Sequence, residues 1–361
     1  MHDKIVNIQG LRFIAFLLIF LIHSVHIAGY ERLFDYGGRG VEIFFVLSGY
    51  LMAYNFSEIK ITYNLKSSLK YMLQKVRKFY ILHLITFIAI LLLWLYRFHK
   101  FGIHYEGGIH EFILDGVLNL TLLQSWYDPA KFSFNGVSWF LSSIIFMYFC
   151  TPYLIHACQK MKLGGVLLSF FAILIIKMIL DTSASRFNLN PLPGFFSYYS
   201  NPAYRFMEYI LGFMGAIFLS KIKLSLSYIK SSILECLILI TYLFCCLSFE
   251  KTWVHAQFTL ITIVLVYAFT IHNGIFDQIF GNKLIVHLGN ISMELFMLHQ
   301  IIIRLFANKL KNSYAIDGIM LLFILFIISV VVAEFFHCPV VRNFITKGIW
   351  NKFTLRCKNY N

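Results

Sequence analysis

Arg12, His23 and His26 stand in an otherwise apolar stretch, residues 11–29, where an ionisable side chain is costly. Arg12 and His23 are separated by ten residues. At 100° per residue that spacing is three turns plus about 20°, so on a helix the two share a face about 16 Å apart along the axis. His26 falls within roughly 40° of the same face. An arginine at mid-membrane costs about 2.5–3.5 kcal/mol on insertion scales, so Arg12 either snorkels to headgroups or faces a polar cavity. Histidine reaches less far and titrates near neutrality, as a general base should. His23 is therefore the candidate catalytic base, with a structural hydrogen bond as its alternative.

A second polar insertion opens the next apolar stretch: Gly37, Gly38, Arg39, Gly40, Val41 and Glu42, followed by Ile43 to Tyr50. Arg39 and Glu42 are three apart and can pair on one helix face. Glu42 is either half of that ion pair or the carboxylate that orients a histidine, as in other acyl-transfer sites. The glycines allow close backbone approach.

The elements that must position these residues follow from composition. The chain has 361 residues, 59% hydrophobic and 13% charged, against about 45–50% apolar and 25% charged in ordinary globular domains. Apolar stretches of bilayer-crossing length recur near 11–29, 38–56, 77–97, 136–156, 164–180, 204–220, 231–248, 253–271, 285–306 and 317–337. They predict an all-α, polytopic membrane protein of about ten transmembrane helices. The net charge of +14 lies between these runs and forms no basic patch interleaved with exposed aromatics, so a membrane surface explains it and nucleic acid does not.

Lys4, Lys60, Lys66, Lys70, Lys75, Arg77, Lys78, Lys160, Lys162, Lys221, Lys223, Lys230 and Lys283 fall on one side of this arrangement, with a basic tail from Arg342 onward. The positive-inside rule puts that side, and both termini, in the cytoplasm. Lys4 before an apolar run mimics a signal peptide, but Arg12 and the histidines identify a first span. Two outer connections are long, 98–135 and the Pro-bearing 181–203 (Pro191, Pro193, Pro202). They can wall an acceptor site or serve as a flexible cover. The seven cysteines show no ligand spacing, and neither disulfides nor a metal site is expected.

The sequence resembles the membrane acyltransferase family 3, which O-acylates polysaccharides, lipopolysaccharide, peptidoglycan and small glycosides. The marks are an Arg or Lys separated from a His by ten residues in the first span, met by Arg12 and His23, and the G-V-[DE]-[IL]-F-F-V-L-S-G-[FY] run, met by Gly40 to Tyr50. Later matches keep the family's order: Ser138, Trp139, Phe140, Leu141 and Ser142 at the fourth span, with Tyr148 and Pro152 beyond; Arg205, Phe206, Glu208 and Gly212 at the sixth; Leu288, Gly289, Ile291, Ser292, Leu298 and His299 near the end. Ser292 and His299 are seven apart and share a face, where a helix-to-helix hydrogen bond is the ordinary role. The third span departs from the family's paired arginines and proline, having Lys75, Val76, Arg77 and Lys78 instead.

The resemblance implies that this basic cluster contacts the phosphates of an acyl-coenzyme A donor, which is a substrate, no cofactor being permanently bound. On this reading acetyl-CoA or another short acyl-CoA binds near Arg12, Lys75, Arg77 and Lys78. His23, oriented by Glu42, then acts on transfer to a hydroxyl of a cell-surface glycan or glycolipid, either directly or through a relayed acyl group. Residues 1–340 form the acyltransferase-like transmembrane domain and 341–361 the basic cytoplasmic tail, with no hydrolase-like domain expected to follow. The membrane is expected to be bacterial and cytoplasmic, and self-association is left open. The rival is a transporter or flippase in polysaccharide export, since charges inside a bundle also mark substrate paths. A structural partner in export is a third reading, under which the His23 stripe is dispensable.

Overall fold

Helices account for most of the described backbone of the computed structural model, which covers residues 6–27, 29, 37–54, 63–102, 104–187, 196–222, 225–248, 256–270, 274–314, 316, 318–339 and 341. No strand occurs among them. The elements are α1 (Val6–Ser24), α2 (Gly37–Tyr54), α3 (Leu65–Val76), α4 (Tyr80–Phe101), α5 (Gly108–Leu120), α6 (Trp139–Lys160), α7 (Leu163–Phe187), α8 (Pro202–Leu219), α9 (Tyr228–Ser248), α10 (Ala256–Ala268), α11 (Ile275–Phe280), α12 (Lys283–Asn290), α13 (Ser292–Tyr314) and α14 (Gly318–His337).

Six helices among the described residues are long and apolar enough to cross a bilayer: Asn7–Ser24, Tyr80–Phe101, Gly136–Lys160, Leu163–Ala184, Tyr228–Cys246 and Gly318–His337. A seventh arises if α12 and α13, which meet at a 71° bend, make one broken span. The other predicted spans are helical but different in kind. α2 and α8 have 18 residues each, and each carries an Arg–Glu pair that lowers its apolarity. α10 has only 13 described residues. The protein is thus an all-helical, multi-pass membrane protein whose polar helices are held inside a shell of apolar ones.

Two boundaries differ from the pattern of the sequence. The span expected at 77–97 begins at Tyr80, because Lys75, Arg77 and Lys78 belong to α3 and the turn after it. α3 starts at Asn64, whose side chain accepts from the Ser67 amide at 2.8 Å. The 98–135 connection contains α5 and two single 3-10 turns, and a third, Gly136–Ser138, leads into α6. The basic residues Lys4, Lys60 and Lys223, the tail from Arg342 onward, and Pro191 and Pro193 lie outside the described residues.

α2 is central and packs on α1, α8 and α10. At its glycines the contacts are with neighbouring backbone. A β-carbon on Gly40 would overlap the Ala15 carbonyl of α1, one on Gly49 the Tyr209 carbonyl of α8, and one on Gly212 of α8 the Val46 carbonyl of α2. These are the small-residue contacts that let helices associate where lipid removes the hydrophobic driving force between them.

Candidate active site

His23, on the last turn of α1, meets His299 of α13 with its Nδ1 2.9 Å from His299 Nε2. His299 Nδ1 lies 2.8 Å from the Phe296 carbonyl and 3.1 Å from that of Leu295. A carbonyl can only accept, so His299 Nδ1 carries a proton and its Nε2 presents a lone pair. His23 Nδ1 must then donate to it, which leaves His23 Nε2 with the lone pair of a base. This is the arrangement in which a second group fixes the tautomer of a reacting imidazole. His299 is fully buried, edge-on to Phe16 at 5.5 Å between centroids.

His23 and His26 line a cavity of about 1440 Å³. Its walls come from α4, the 98–135 connection and α13, including Trp94, Tyr105, Tyr127, Phe132, Glu111 and Gln300. The connection therefore forms walls. Tyr105 O–H donates to the Asp115 carboxylate, tying α5 to the segment before it, and Asn119 Nδ2 donates to Ser133 Oγ at 2.7 Å, tying it to the turns after. Burial and the Asp115 carboxylate hold the Tyr105 phenol above its ordinary range.

Arg12 lines a second, smaller cavity of about 200 Å³ with Ser48, Tyr148, Ser292 and Phe296. Its Nη1 donates to Gln9 Oε1 at 3.3 Å. Lys75 comes to the same place, with Nζ 6.0 Å from the Tyr148 ring centroid and 5.2 Å from that of Tyr71. Burial, then the neighbouring Lys78, hold the Lys75 ammonium below the ordinary lysine range. Arg77 and Lys78 are exposed beside it. The two cavities open toward opposite ends of α1. Phe44, Phe140 and Phe296, with centroids 5.2–6.2 Å apart, line the smaller one on the side of Phe296, whose carbonyl holds His299.

Glu42 is elsewhere. It accepts from Arg39 Nη1 at 3.3 Å and from Thr259 Oγ1 at 2.7 Å, and it is fully buried. The Arg39 guanidinium stacks 3.5 Å from the Phe258 ring centroid. The expected Glu42–His23 partnership is corrected accordingly: the residue on His23 is His299, and Glu42 faces α10 because α2 turns its charged stripe toward α8 and α10.

The sixth-span match joins this second region. Arg205 donates through Nη1 to Glu208 Oε1 at 2.7 Å and through Nε to the Tyr199 carbonyl at 2.6 Å. Lys177 Nζ lies 3.6 Å from Glu208 Oε1 and 3.5 Å from Asp181 Oδ1, and donates to Tyr204 at 2.8 Å. Trp139 sits beneath Arg205, 5.7 Å from guanidinium to ring. Ser142 Oγ accepts from the Ser125 amide at 3.4 Å. Ser292 is buried against Arg12's cavity and does not bond to His299, although they share a helix. Lys177 and Asp181 were not legible as site residues, since a single lysine in the apolar 164–180 run gives no spacing signal.

The family model of an acyltransferase domain, that of acyltransferase family 3, matches residues 5–337 of the chain. No curated protein and no solved structure matches it.

Proposed function

The chain belongs to acyltransferase family 3, and on that premise we propose that it moves a short acyl group, acetyl in the first instance, from acyl-CoA to a hydroxyl of a cell-surface glycan or glycolipid. The observation that carries this reading is the carbonyl–His299–His23 chain on the wall of the large cavity. A base of fixed tautomer beside a roomy, aromatic and polar space suits a sugar hydroxyl.

The donor would enter the smaller cavity, its phosphates on Lys75, Arg77 and Lys78 and its arm past Arg12 and Tyr148. His23 Nε2 takes the proton of the acceptor hydroxyl as that oxygen attacks the thioester carbonyl. The tetrahedral adduct then collapses with loss of the coenzyme A thiolate, which receives the proton from the His23 imidazolium. His299 acts as a positioning residue. Coenzyme A cannot cross a bilayer, so the donor side is assigned to the cytoplasm and the large cavity to the outer half. Ten crossings, cytoplasmic termini and a bacterial cytoplasmic membrane complete the reading. Family membership gives the transporter reading no support.

The test is transfer of labelled acetyl from acetyl-CoA to glycan in membranes carrying the wild-type chain or His23→Ala at equal protein level. Transfer by the wild type alone is expected. Equal transfer by both would remove His23 from the chemistry. Transfer by neither, with no thermal stabilisation of the purified protein by acetyl-CoA, would overturn the reading.

A further inference from the structure

The large cavity holds charges of both signs. Glu111 and Asp115 gather around Tyr105 on the α5 wall, with Glu106 next to it in the chain. Arg97, near the end of α4, and Arg304 of α13 line the same cavity. The two guanidiniums are within electrostatic reach of each other, and Arg304 is within reach of His23. Neither has an ion pair among the described residues. Arg304 Nη1 donates to the Phe134 carbonyl at 3.0 Å, and Arg97 lies 5.2 Å from the Trp94 ring centroid. Both contacts fix the guanidiniums without neutralising them.

The wall around them is shaped. Gln300, one turn before Arg304, keeps a buried Oε1 with no hydrogen-bond partner in the structure. A β-carbon on Gly136 would come within 2.9 Å of that oxygen and 3.5 Å of Arg304 Nη2, so the glycine leaves room for both side chains. Two like charges held together beside the reacting base raise the free energy of the empty site, and an anion between them would lower it. Guanidinium forks are suited to phosphate and carboxylate oxygens.

We propose that Arg97 and Arg304 clamp an anionic group, phosphate or carboxylate, carried by the acceptor glycan, and so make the enzyme selective for acidic acceptors. This rests on the acyltransferase reading above and specifies its acceptor. Gln300 would accept from a neighbouring sugar hydroxyl.

The experiment uses the full chain purified in detergent, with methyl glucoside, methyl glucuronide and methyl glucoside 6-phosphate as probes. Each is tested for thermal stabilisation of the protein and for acetyl transfer from acetyl-CoA. One or both anionic probes are expected to stabilise the protein at concentrations where the neutral one does not, with the responding probe distinguishing carboxylate from phosphate. Arg97→Gln and Arg304→Gln should each raise the half-saturating concentration of that probe by about tenfold and narrow its advantage over methyl glucoside in kcat/KM. Because Arg304 also holds the Phe134 carbonyl, Arg97→Gln, which removes only a ring contact, is the variant that separates folding from binding. Equal responses to neutral and anionic probes, or an unchanged preference in both variants, would overturn the clamp. So would loss of acetyl-CoA stabilisation in both variants, which would assign the pair to the donor's phosphates. Stabilisation by an anionic probe without transfer to any acceptor would leave the clamp standing and refute the acyltransfer reading.

Discussion

Two sets of ionisable residues are buried in this bundle, and they differ in what they face. His23 and His299 form a neutral pair on the wall of a large cavity. Arg39, Glu42, Lys177, Asp181, Arg205 and Glu208 form four cation–anion pairings enclosed by α2, α7, α8 and α10, and none of them lines either cavity. The first set has somewhere for a substrate to go. The second pairs its charges with one another, while Asp181 Oδ2, Arg205 Nη2 and Glu208 Oε2 have no hydrogen-bond partner in the structure. The Gly40–Tyr50 run builds the frame on which α1 is held, and under the proposed mechanism the sparse Arg12–His23 spacing carries the chemistry.

The sharpest way to break this comparison is to remove the base. His23→Ala is expected to lower acyl transfer by about 10²–10⁴-fold while leaving the melting temperature of the purified protein nearly unchanged. Next comes the frame. Arg205→Met leaves Glu208 without its closest cation, and breaking a buried pair in this way costs about 3–5 kcal/mol. The expected readout is a large fall in folded yield and melting temperature, with partial recovery when Glu208→Leu is added. If Arg205→Met were instead stable and inactive, the network would belong to the chemistry.

A third variant sharpens the role of the pair. His299→Phe removes the acceptor of the His23 Nδ1 proton, and a loss of about 10–100-fold in kcat, with little change in KM for acyl-CoA, is expected. His299→Gln offers an oxygen at a similar reach and should restore part of the rate. The smallest effect concerns the donor. Burial favours neutral Lys75, so its charge is lost at a lower pH than an ordinary lysine would lose it. The KM for acyl-CoA should therefore rise a few-fold as the pH climbs toward that range, and Lys75→Arg, which keeps its charge, should flatten the rise.

Much of this was legible in the sequence, and the rest fails for identifiable reasons. The helical class, the apolar spans and the helix face shared by Arg12 and His23 follow from length and period, which are local properties. His299 stood out in the late segment of the family resemblance and on one face with Ser292, but its pairing with His23 was not legible, because the two are 276 positions apart. Glu42 was misassigned since its spacing from Arg39 fixes a pair but not the neighbour that a helix face meets. Arg97 and Arg304 read as residues near span ends, where a cation is unremarkable. Only the packing of α4 against α13 puts them in one cavity with His23.

The carbonyl-to-carbon contacts at Gly40, Gly49 and Gly212 also bear on how the enzyme meets its solvent. Bilayers vary in thickness and lateral pressure, and spans tilt or shift in response. The helices that would feel this first are the outer ones, such as Leu163–Ala184 and Gly318–His337, each with only 22% of its span buried, against 56% for Asn7–Ser24. α1, α2 and α8 touch through their backbones, with no flexible side-chain layer between them to be compressed. The three then travel as one piece, and α1 carries His23 with it while the surrounding lipid changes.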